Sequence, residues 1–442
     1  MGRFLILSAL LFLGCPLLVE ALTLSEAISR ALENNPEILA RGHEVAAAEA
    51  ARQAEWGALL PQVNLLAQAS RLSDPQAVTS IKGPNRFPSF SRDIYLFDVN
   101  LVLPLYEGGR IRKRVKMAKL ETALRESLKY QTALDLIANV RETYLLALYL
   151  KALVQAREKT LEALKRVAEE ARLRLSVGRI APLDLMRIET QVKAEEAALA
   201  ESREALRRAK EALSVLMGEP PRSDFELTGK LEERLIEPEA PDWERVLACR
   251  PDIAAQRRAV ARAEEAVKLA FRGHFPAVEL FSNYGRRAGS GFNDSEEVWE
   301  AGVRLKLNFF SGGTLSARVA EARAKWLAER EKLRALELSA RKEISTALSH
   351  LAETREQIAH FEAARQTAKE AFRVASLKYR TGAGTVTDML LSQAAWFSAE
   401  TDYLSALYRH AQALIAYERA TAEIARGFLN LSCEENRYVS KP

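Results

Sequence analysis

The chain has 442 residues, of which 28% are charged, 48% hydrophobic and 7% aromatic, and its formal net charge is +5. Much of the hydrophobic share is Ala and Leu, a mixture typical of long amphipathic helices rather than of compact layered domains. The composition excludes a disordered chain, and no uncharged apolar run of 18 residues follows the N-terminus, which excludes a multi-helix transporter. Because basic and acidic residues alternate along helical stretches, we expect solvated helix faces and no nucleic-acid partner.

The first 21 residues form a predicted secretory signal peptide. One Arg precedes an apolar run over 4–13, and the small residue Ala21 stands at the expected cleavage point. A second interpretation, in which Cys15 carries a lipid, fits poorly with Phe12 three positions earlier. Both interpretations take the mature chain out of the cytoplasm. There, Cys249 and Cys433 either pair in a disulfide or stay as two thiols, and the sequence leaves both outcomes open.

The elements behind the leader alternate between helical and strand patterns. They are a helix over 23–57, strands over 61–72 and 94–106, a very long helix over 111–177 and a returning helix that ends near 217. Within the long helix apolar residues recur every three or four positions with no Pro or Gly, which predicts a rod of about 100 Å. Gly178 ends the outgoing helix and Pro182 begins the returning one.

The same order of elements then occurs a second time. Leu60-Pro61-Gln62-Val63 recurs as Phe275-Pro276-Ala277-Val278 at an offset of 215, and Leu105-Tyr106-Glu107-Gly108-Gly109 matches Phe309-Phe310-Ser311-Gly312-Gly313 at an offset of 204. The shortening between the two offsets is predicted to fall in the loop between the second pair of strands. The second set of elements is a helix over 243–273, strands over 276–286 and 298–310, a long helix over 315–380 and a returning helix to 424. The predicted division is a signal peptide (1–21), a first repeat (22–218), a linker (219–241), a second repeat (242–426) and a C-terminal tail (427–442).

Alternate positions in two of the strands separate apolar from polar side chains. The apolar set, predicted to face lipid, is Tyr95, Phe97, Val99, Leu101, Leu103, Leu105, Trp299, Val303, Leu305, Leu307 and Phe309. The polar set, predicted to face a lumen, is Asp98, Asn100, Glu300, Arg304, Lys306 and Asn308. This alternation is typical of membrane β-barrels, and a half-buried strand of a soluble sheet alternates identically. No other predicted element is free to cover the apolar face, which favours lipid as its second layer.

Four strands are too few to close a barrel. An open sheet edge in a bilayer leaves backbone groups unpaired, each at a cost of several kcal/mol. We therefore expect a mainly α-helical protein with a membrane β-barrel part that is completed by oligomerisation through the strand edges, giving eight, twelve or sixteen strands. The long helices would pack side by side as a tube that extends into the periplasm.

At this point the sequence resembles the TolC family of outer-membrane efflux proteins over nearly the whole mature chain. The resemblance lies in Leu22-Thr23-Leu24-Ser25-Glu26-Ala27, Asn35-Pro36, two Pro-initiated strands, both Gly-Gly turns and Tyr379-Arg380-Thr381-Gly382 ahead of Asp388. It implies a homotrimer in the cell outer membrane, with a twelve-stranded barrel and a long helical tunnel. It also implies docking on a periplasmic adaptor protein and an inner-membrane pump, as the passive exit duct of tripartite efflux or type I secretion.

The resemblance further implies a gate where the helix-turn-helix tips meet at the periplasmic end. The adaptor-contacting tip residues would be Arg174, Leu175, Gly178, Lys378, Arg380 and Gly382. Asp184 and Asp388 match gate aspartates that follow the tip glycines, but Leu391 stands where a second acidic ring is expected. Rings of carboxylates around a narrow axis favour cations and bind blocking cations. The alternative is that both aspartates offset the helix dipole in a first turn.

Enzyme signatures are lacking in the sequence. It has no HExxH pair and no GxxxxGK[ST] phosphate loop, and Ser339-Ala340-Arg341-Lys342 matches SxxK without its companion motifs. We therefore predict no enzyme, no metal and no cofactor. The main alternative to a duct is a periplasmic coiled-coil scaffold without a pore, which would have no use for alternating strands. The transported substrate is not specified by the sequence.

Overall fold

The computed structural model describes residues 21–84, 87–231, 241–292, 294–425 and 427–429. All but the last residue of the predicted signal peptide, with Cys15, lies outside these residues, as does most of the predicted tail, with Cys433. Cys249 is disulfide-bonded. None of the helices in the described ranges combines the length and apolar character needed to cross a membrane.

The first helix of each repeat is broken in two by a proline. After strand β1 (Ala21–Leu22) come α1 (Leu24–Asn34) and α2 (Pro36–Gly57), and the second repeat has α5 (Trp243–Cys249) and α6 (Pro251–Phe271). The prediction of one continuous helix in each place was therefore wrong. The residue before each proline adopts extended backbone, with ψ 125° at Asn35 and 122° at Arg250, because proline disfavours the helical conformation in its predecessor.

The strands form one antiparallel sheet in the order β2-β3-β5-β6. Their bounds are β2 (Gln62–Ala77), β3 (Phe90–Tyr106), β5 (Ala277–Ala288) and β6 (Ser295–Lys306). The first hairpin is longer than predicted, because β2 continues past a register irregularity after Arg71. The second hairpin is displaced toward its loop relative to the prediction, since β5 continues to Ala288 and β6 begins at Ser295. The last pair of its strands joins Ala277 to Lys306, so Leu307, Asn308 and Phe309, predicted as strand residues, lie beyond β6.

The helices are arranged in the same order as the strands. The long helices are α3 (Arg110–Ser176) and α7 (Thr314–Thr381), and the returning helices are α4 (Pro182–Leu216) and α8 (Val386–Ala420). Near the sheet, α2, α3, α6 and α7 pack in that order. Farther away, α4 packs on α3, α3 on α8, and α8 on α7. The second returning helix ends before the predicted residue 424, since Ala422 adopts a left-handed φ of 60°.

The largest apolar cluster joins the start of the chain to the connection between the repeats. That connection contributes β4 (Glu226–Leu227), which pairs in parallel with β1. The hydroxyl of Tyr144, in the middle of α3, lies 2.9 Å from the carbonyl oxygen of Leu22 and 2.6 Å from that of Thr228. The Nζ of Lys210 on α4 donates to the Phe225 carbonyl at 2.6 Å. Residues from both ends of the first repeat are thereby fixed to the middle of the rod.

A buried carboxylate joins α6 to α3 close to the sheet. Glu265 is 3% exposed, and its oxygens accept hydrogen bonds from Lys113 at 2.7 Å, Lys116 at 2.9 Å and Lys268 at 3.1 Å. Burial alone raises the pKa of Glu265, but the three lysine hydrogen bonds outweigh it and lower that pKa from 4.5 to about 2. The carboxylate therefore stabilises the fold above the unfolded-state pKa, and this contribution is lost as the pH falls toward 2.

Replacement of Glu265 by Gln leaves three ammonium groups around a neutral amide. We expect Glu265→Gln to lower the free energy of unfolding in detergent at pH 7 by about 1–3 kcal/mol. The difference from the wild type should shrink between pH 4.5 and 2, because the Glu265 carboxylate of the unfolded chain takes up a proton in this range while that of the folded chain stays ionised down to about pH 2. Glu321→Gln is the matched control, since Glu321 forms an exposed ion pair with Lys325 at 2.6 Å, and no measurable change is expected. Equal stabilities of Glu265→Gln and the wild type at pH 7 would contradict the assignment.

Candidate functional site

The first part of the candidate site is a continuous apolar face on the sheet. Pairing places Leu65 opposite Val99, Val99 opposite Tyr284, and Tyr284 opposite Trp299, so one row of side chains crosses all four strands. Most of the residues predicted to face lipid that lie within strands share this face: Tyr95, Phe97, Val99, Leu101, Leu103, Trp299, Val303 and Leu305. Leu105 lies at a register shift and has no paired residue on β5. Trp299 is 73% exposed and Leu305 66% exposed, so the centre of the face is uncovered, whereas at the loop end the ring of Tyr95 packs on that of Phe292 at 4.5 Å.

The opposite face of the sheet is polar and internally hydrogen-bonded. Asn100 donates to Asn283 at 2.5 Å across the β3–β5 pair. Arg304 donates to Glu279 at 2.7 Å, and its guanidinium lies 4.5 Å from the ring centre of Phe281. The structure places the predicted lumen-facing residues of the strands on this face: Asp98, Asn100, Glu300, Arg304 and Lys306. Single-strand alternation predicted the two faces of β3 and β6 well. Along β5 the alternation is less regular, with Val278, Leu280 and Tyr284 on one face and Glu279 and Asn283 on the other, and the register agrees with it.

Each edge of the sheet has an open side. Within the part of the chain that the structure describes, β2 pairs only with β3, and β6 pairs only with β5. The outer backbone groups of both strands are therefore available to another strand. The segment after β6 continues this open edge with two bulky side chains, Phe309 at 96% exposed and Phe310 at 84%.

The second part of the site is formed by the two helix-turn-helix tips, which close in the same way. Gly178 and Gly382 adopt left-handed φ values of 71° and 79°, which glycine supplies without steric cost. At the first tip the amide of Arg179 donates to the Arg174 carbonyl at 2.8 Å. At the second tip the amide of Ala383 donates to the Lys378 carbonyl at 2.8 Å. Two sequence-distant hairpins thus end in matching turns.

Arg174 connects the two tips. Its guanidinium donates to the Tyr379 carbonyl at 3.3 Å and to the Arg380 carbonyl at 3.1 Å, and it lies 5.1 Å from the ring centre of Tyr379. These carbonyls lie in the last turn of α7, where a cation complements the helix dipole. Burial is the main cause that raises the pKa of the Tyr379 hydroxyl. Sequence reasoning placed Arg174 at a tip but had no signal for this contact with the other hairpin.

The remaining predicted tip residues lie around this contact. Lys378, Arg380, Gly178 and Gly382 are exposed, and Leu175 is half-buried. The chain therefore presents the cationic side chains of Lys378 and Arg380 at the second tip, while at the first tip Arg174 is engaged and Arg179 is exposed. Their role in contacting an adaptor stays a prediction.

The predicted gate residues occupy the first turns of the two returning helices. Asp388 completes a cap: Thr385 Oγ1 donates to its carboxylate at 2.7 Å, and its own amide donates to Thr385 Oγ1 at 3.1 Å. Leu391, one turn farther along α8, is 65% exposed. Asp184 lies 4.0 Å from Arg187, whose guanidinium reaches across to Thr387 Oγ1 at 3.0 Å. Arg187, missed by sequence reasoning, joins the starts of the two returning helices.

Comparison with known proteins gives one consistent answer. The model of the family described as outer membrane efflux protein matches residues 27–219 and 243–423. The chain is 23% identical to the cobalt-zinc-cadmium resistance protein CzcC of Cupriavidus metallidurans, over 90% of this chain and 89% of that protein. It is 24% identical to the outer membrane protein TolC of Vibrio cholerae, over 92% of each. The structure resembles the open state of the MtrE outer membrane channel of Neisseria gonorrhoeae, with a TM-score of 0.74 and 22% identity, over 90% of this chain and 88% of that one.

Removal of the Arg174 cation should loosen the end of α7. We expect Arg174→Met to speed hydrogen exchange of the amides over 379–383 by about tenfold, since the carbonyls there lose two charge-assisted hydrogen bonds. The control is Arg172→Met, because Arg172 pairs with Glu189 at 2.8 Å within its own hairpin and is 58% exposed. Hydrogen exchange followed by mass spectrometry measures both variants. Unchanged exchange over 379–383 in Arg174→Met would refute the connection between the tips.

Proposed function

The chain belongs to the outer membrane efflux protein family, and on this premise we propose that three copies close a twelve-stranded barrel in the outer membrane and extend it as a helical tube through the periplasm. In this arrangement the protein is the exit duct of a tripartite efflux or type I secretion system. Each copy would contribute four strands and two long hairpins, one from each of the predicted repeats 22–218 and 242–426. The family is one of transport channels, and the proposal gives the chain no catalytic step.

One observation carries the proposal: in the described ranges, the sheet has an apolar band across one face and is unpaired at both edges. A soluble protein covers such a band with a second layer, whereas here Trp299 and Leu305 at its centre are 73% and 66% exposed. In a closed barrel within a bilayer, lipid covers the apolar face and a neighbouring copy pairs with each edge. Neither exposed apolar surface nor unpaired backbone groups then remain. A pore-less scaffold would need neither the face nor the open edges.

The length of the helices supports a duct that reaches far from the membrane. Helix α3 has 67 residues and α7 has 68, so each rod is about 100 Å long. At their far ends the exposed Lys378 and Arg380 present positive charge to a partner. We assign this end to a periplasmic adaptor, through which an inner-membrane pump delivers cargo. The pump would supply the energy and the choice of substrate.

We place the gate of the duct at Asp184, Asp388 and Leu391. Three copies would bring three Asp388 carboxylates around one axis, with a ring of Leu391 side chains one turn away. The exposure of both side chains on one face of α8 supports this assignment. The cap that Asp388 forms with Thr385 is compatible with it, because each carboxylate has two oxygens and a cap hydrogen bond uses only one.

The two faces of β3 provide a test of the membrane assignment. Leu101 and Asn100 are adjacent in the strand but lie on the apolar and polar faces respectively. A Lys on the lipid face near the bilayer centre costs about 2–4 kcal/mol in each copy. We expect Leu101→Lys to lower the amount of trimer in the outer-membrane fraction at least tenfold, and Asn100→Lys to lower it less than twofold. Equal yields of the two variants, or wild-type protein only in the soluble periplasm, would rule the duct out.

The gate assignment is tested by cation block. We expect Asp388→Asn to weaken block by divalent cations about tenfold in single-channel recordings, because the ring loses its negative potential. The Asn side chain keeps the capping geometry with Thr385. Glu162→Gln is the control, since Glu162 is an exposed mid-rod carboxylate paired with Arg166. Unchanged block in Asp388→Asn removes Asp388 from the gate without affecting the barrel.

A further inference from the structure

We propose that the barrel closes between copies in one defined register, in which Lys306 of β6 stands directly opposite Leu66 of β2 in the neighbouring copy. The inference rests on the proposed function, because it concerns the strand pair that closes the barrel. Its partner is a second copy of this chain. Within one chain the register between neighbouring strands is observed directly.

The two hairpins have identical registers once the repeat offsets are applied. Val63 pairs with Leu101, and at offsets of 215 and 204 the equivalent residues Val278 and Leu305 also pair. The same holds at the end of the regular pairing, where Arg71 pairs with Asp93 and Arg286 with Glu297. The hairpins are therefore equivalent building units, residue by residue.

The β3–β5 pair is the junction between these two units within one chain. Six hairpins around a trimer axis need six junctions, of which three lie within chains and three between chains. Since the units are equivalent and a closed barrel links strand tilt and stagger, the β6–β2 junction between copies should repeat the geometry of the β3–β5 junction. The residue pairs observed in the β3–β5 junction within one chain then predict the residue pairs of the β6–β2 junction between copies.

The transfer gives a complete set of pairs. Val102 pairs with Phe281, so Lys306 should pair with the neighbouring copy's Leu66. Asn100 pairs with Asn283, so Arg304 should pair with the neighbouring copy's Gln68. Three further observed pairs are Val99–Tyr284, Leu101–Ser282 and Leu103–Leu280. Their equivalents between copies pair Val303 and Leu305 of β6, and Leu307 just after it, with Ala69, Ala67 and Leu65 of the neighbouring copy, in that order. All six of these residues are apolar, which agrees with the proposed register, because a shift by one residue would place apolar side chains opposite the polar face.

The register also accounts for the segment after β6. The corresponding part of β3, over 103–106, remains a strand because β5 pairs with it after β2 has ended. Residues 307–310 lack this partner in the single chain, and the large side chains of Phe309 and Phe310 stand exposed. In the proposed register the neighbouring copy's Leu65 and Val63 pair with Leu307 and Phe310. The sequence prediction of a strand to 310 would then hold in the assembly.

The helices behind the strands fit the same transfer. At the internal junction Lys113 and Lys116 of α3 surround the buried Glu265 of α6. The repeat offsets convert these three residues into Ala317, Ala320 and Ala50, all of which are exposed in the single chain. The fourth member of the charged cluster, Lys268, becomes Gln53, so all four charges are replaced together and the junction between copies would bury no unpaired charge at this position.

Engineered disulfides distinguish this register from its neighbours. The full-length chain with Lys306→Cys and Leu66→Cys is purified from outer membranes and oxidised with copper phenanthroline. Within one chain these positions lie at opposite edges, three strand spacings or roughly 14 Å apart across the sheet, and they are also displaced along the strands, because Leu66 shares its row with Val298. A disulfide can therefore form only between copies. We expect covalent dimers and trimers on non-reducing gels that disappear on reduction. The double variant Arg304→Cys with Gln68→Cys tests the same register at a second pair of positions, and it should also form disulfide-linked dimers and trimers.

The controls shift one position by two residues along the same face. Lys306→Cys combined with Asn64→Cys or with Gln68→Cys should cross-link at least about fivefold less, because diagonal side chains are too far apart for a disulfide. A shifted pair that cross-links best, or in-register pairs that both fail in protein that still migrates as a native trimer, would overturn the register and leave the duct intact. Wild-type protein that forms no oligomer would overturn the proposed function instead.

Discussion

The structure depends on the need to pair every backbone group of a sheet that lipid surrounds. In the described ranges, two antiparallel hairpins supply the four strands of this sheet, and both outer strands keep one unpaired side. In water such edges are solvated, but in hydrocarbon each unpaired group costs several kcal/mol. Pairing with other copies is therefore part of folding for this chain. The exposed apolar face on one side of the sheet requires that this pairing take place in lipid.

The helices inherit their arrangement from the sheet. The packing order α2-α3-α6-α7 repeats the strand order β2-β3-β5-β6, because each strand leads into or follows one of these helices. Cross-helix contacts then fix the rods at three levels: the lysines around Glu265 near the sheet, the β1–β4 seam on Tyr144 in the middle, and Arg174 at the tips. The contacts at Glu265 and Arg174 join the two repeats, and the contact of Tyr144 fixes the start of the first repeat and the linker to α3.

Much of this architecture could be predicted from sequence because it lies in periodicity and repetition. The two long helices came from an uninterrupted apolar period, and the face of β3 from strict alternation between Tyr95 and Leu105. The errors concern the ends of helices and strands, where a proline or a pairing partner elsewhere in the assembly decides the boundary. Pro36 and Pro251 ended helices that periodicity continued, and β6 ended at Lys306, where we propose that the next pairing partner belongs to another copy. The contact of Arg174 with Tyr379 and Arg380 depends on the approach of residues about 205 positions apart, which no local pattern contains.

The central claim is that this chain completes its fold only as a closed trimer with the sheet in the outer membrane. Native mass spectrometry of the wild-type protein, extracted from purified outer membranes in mild detergent, tests it most directly. The account predicts one dominant species with the mass of three mature chains. At four strands in each chain, this species has a barrel of twelve strands. A dominant monomer, or any closed species with a copy number other than three, would contradict it.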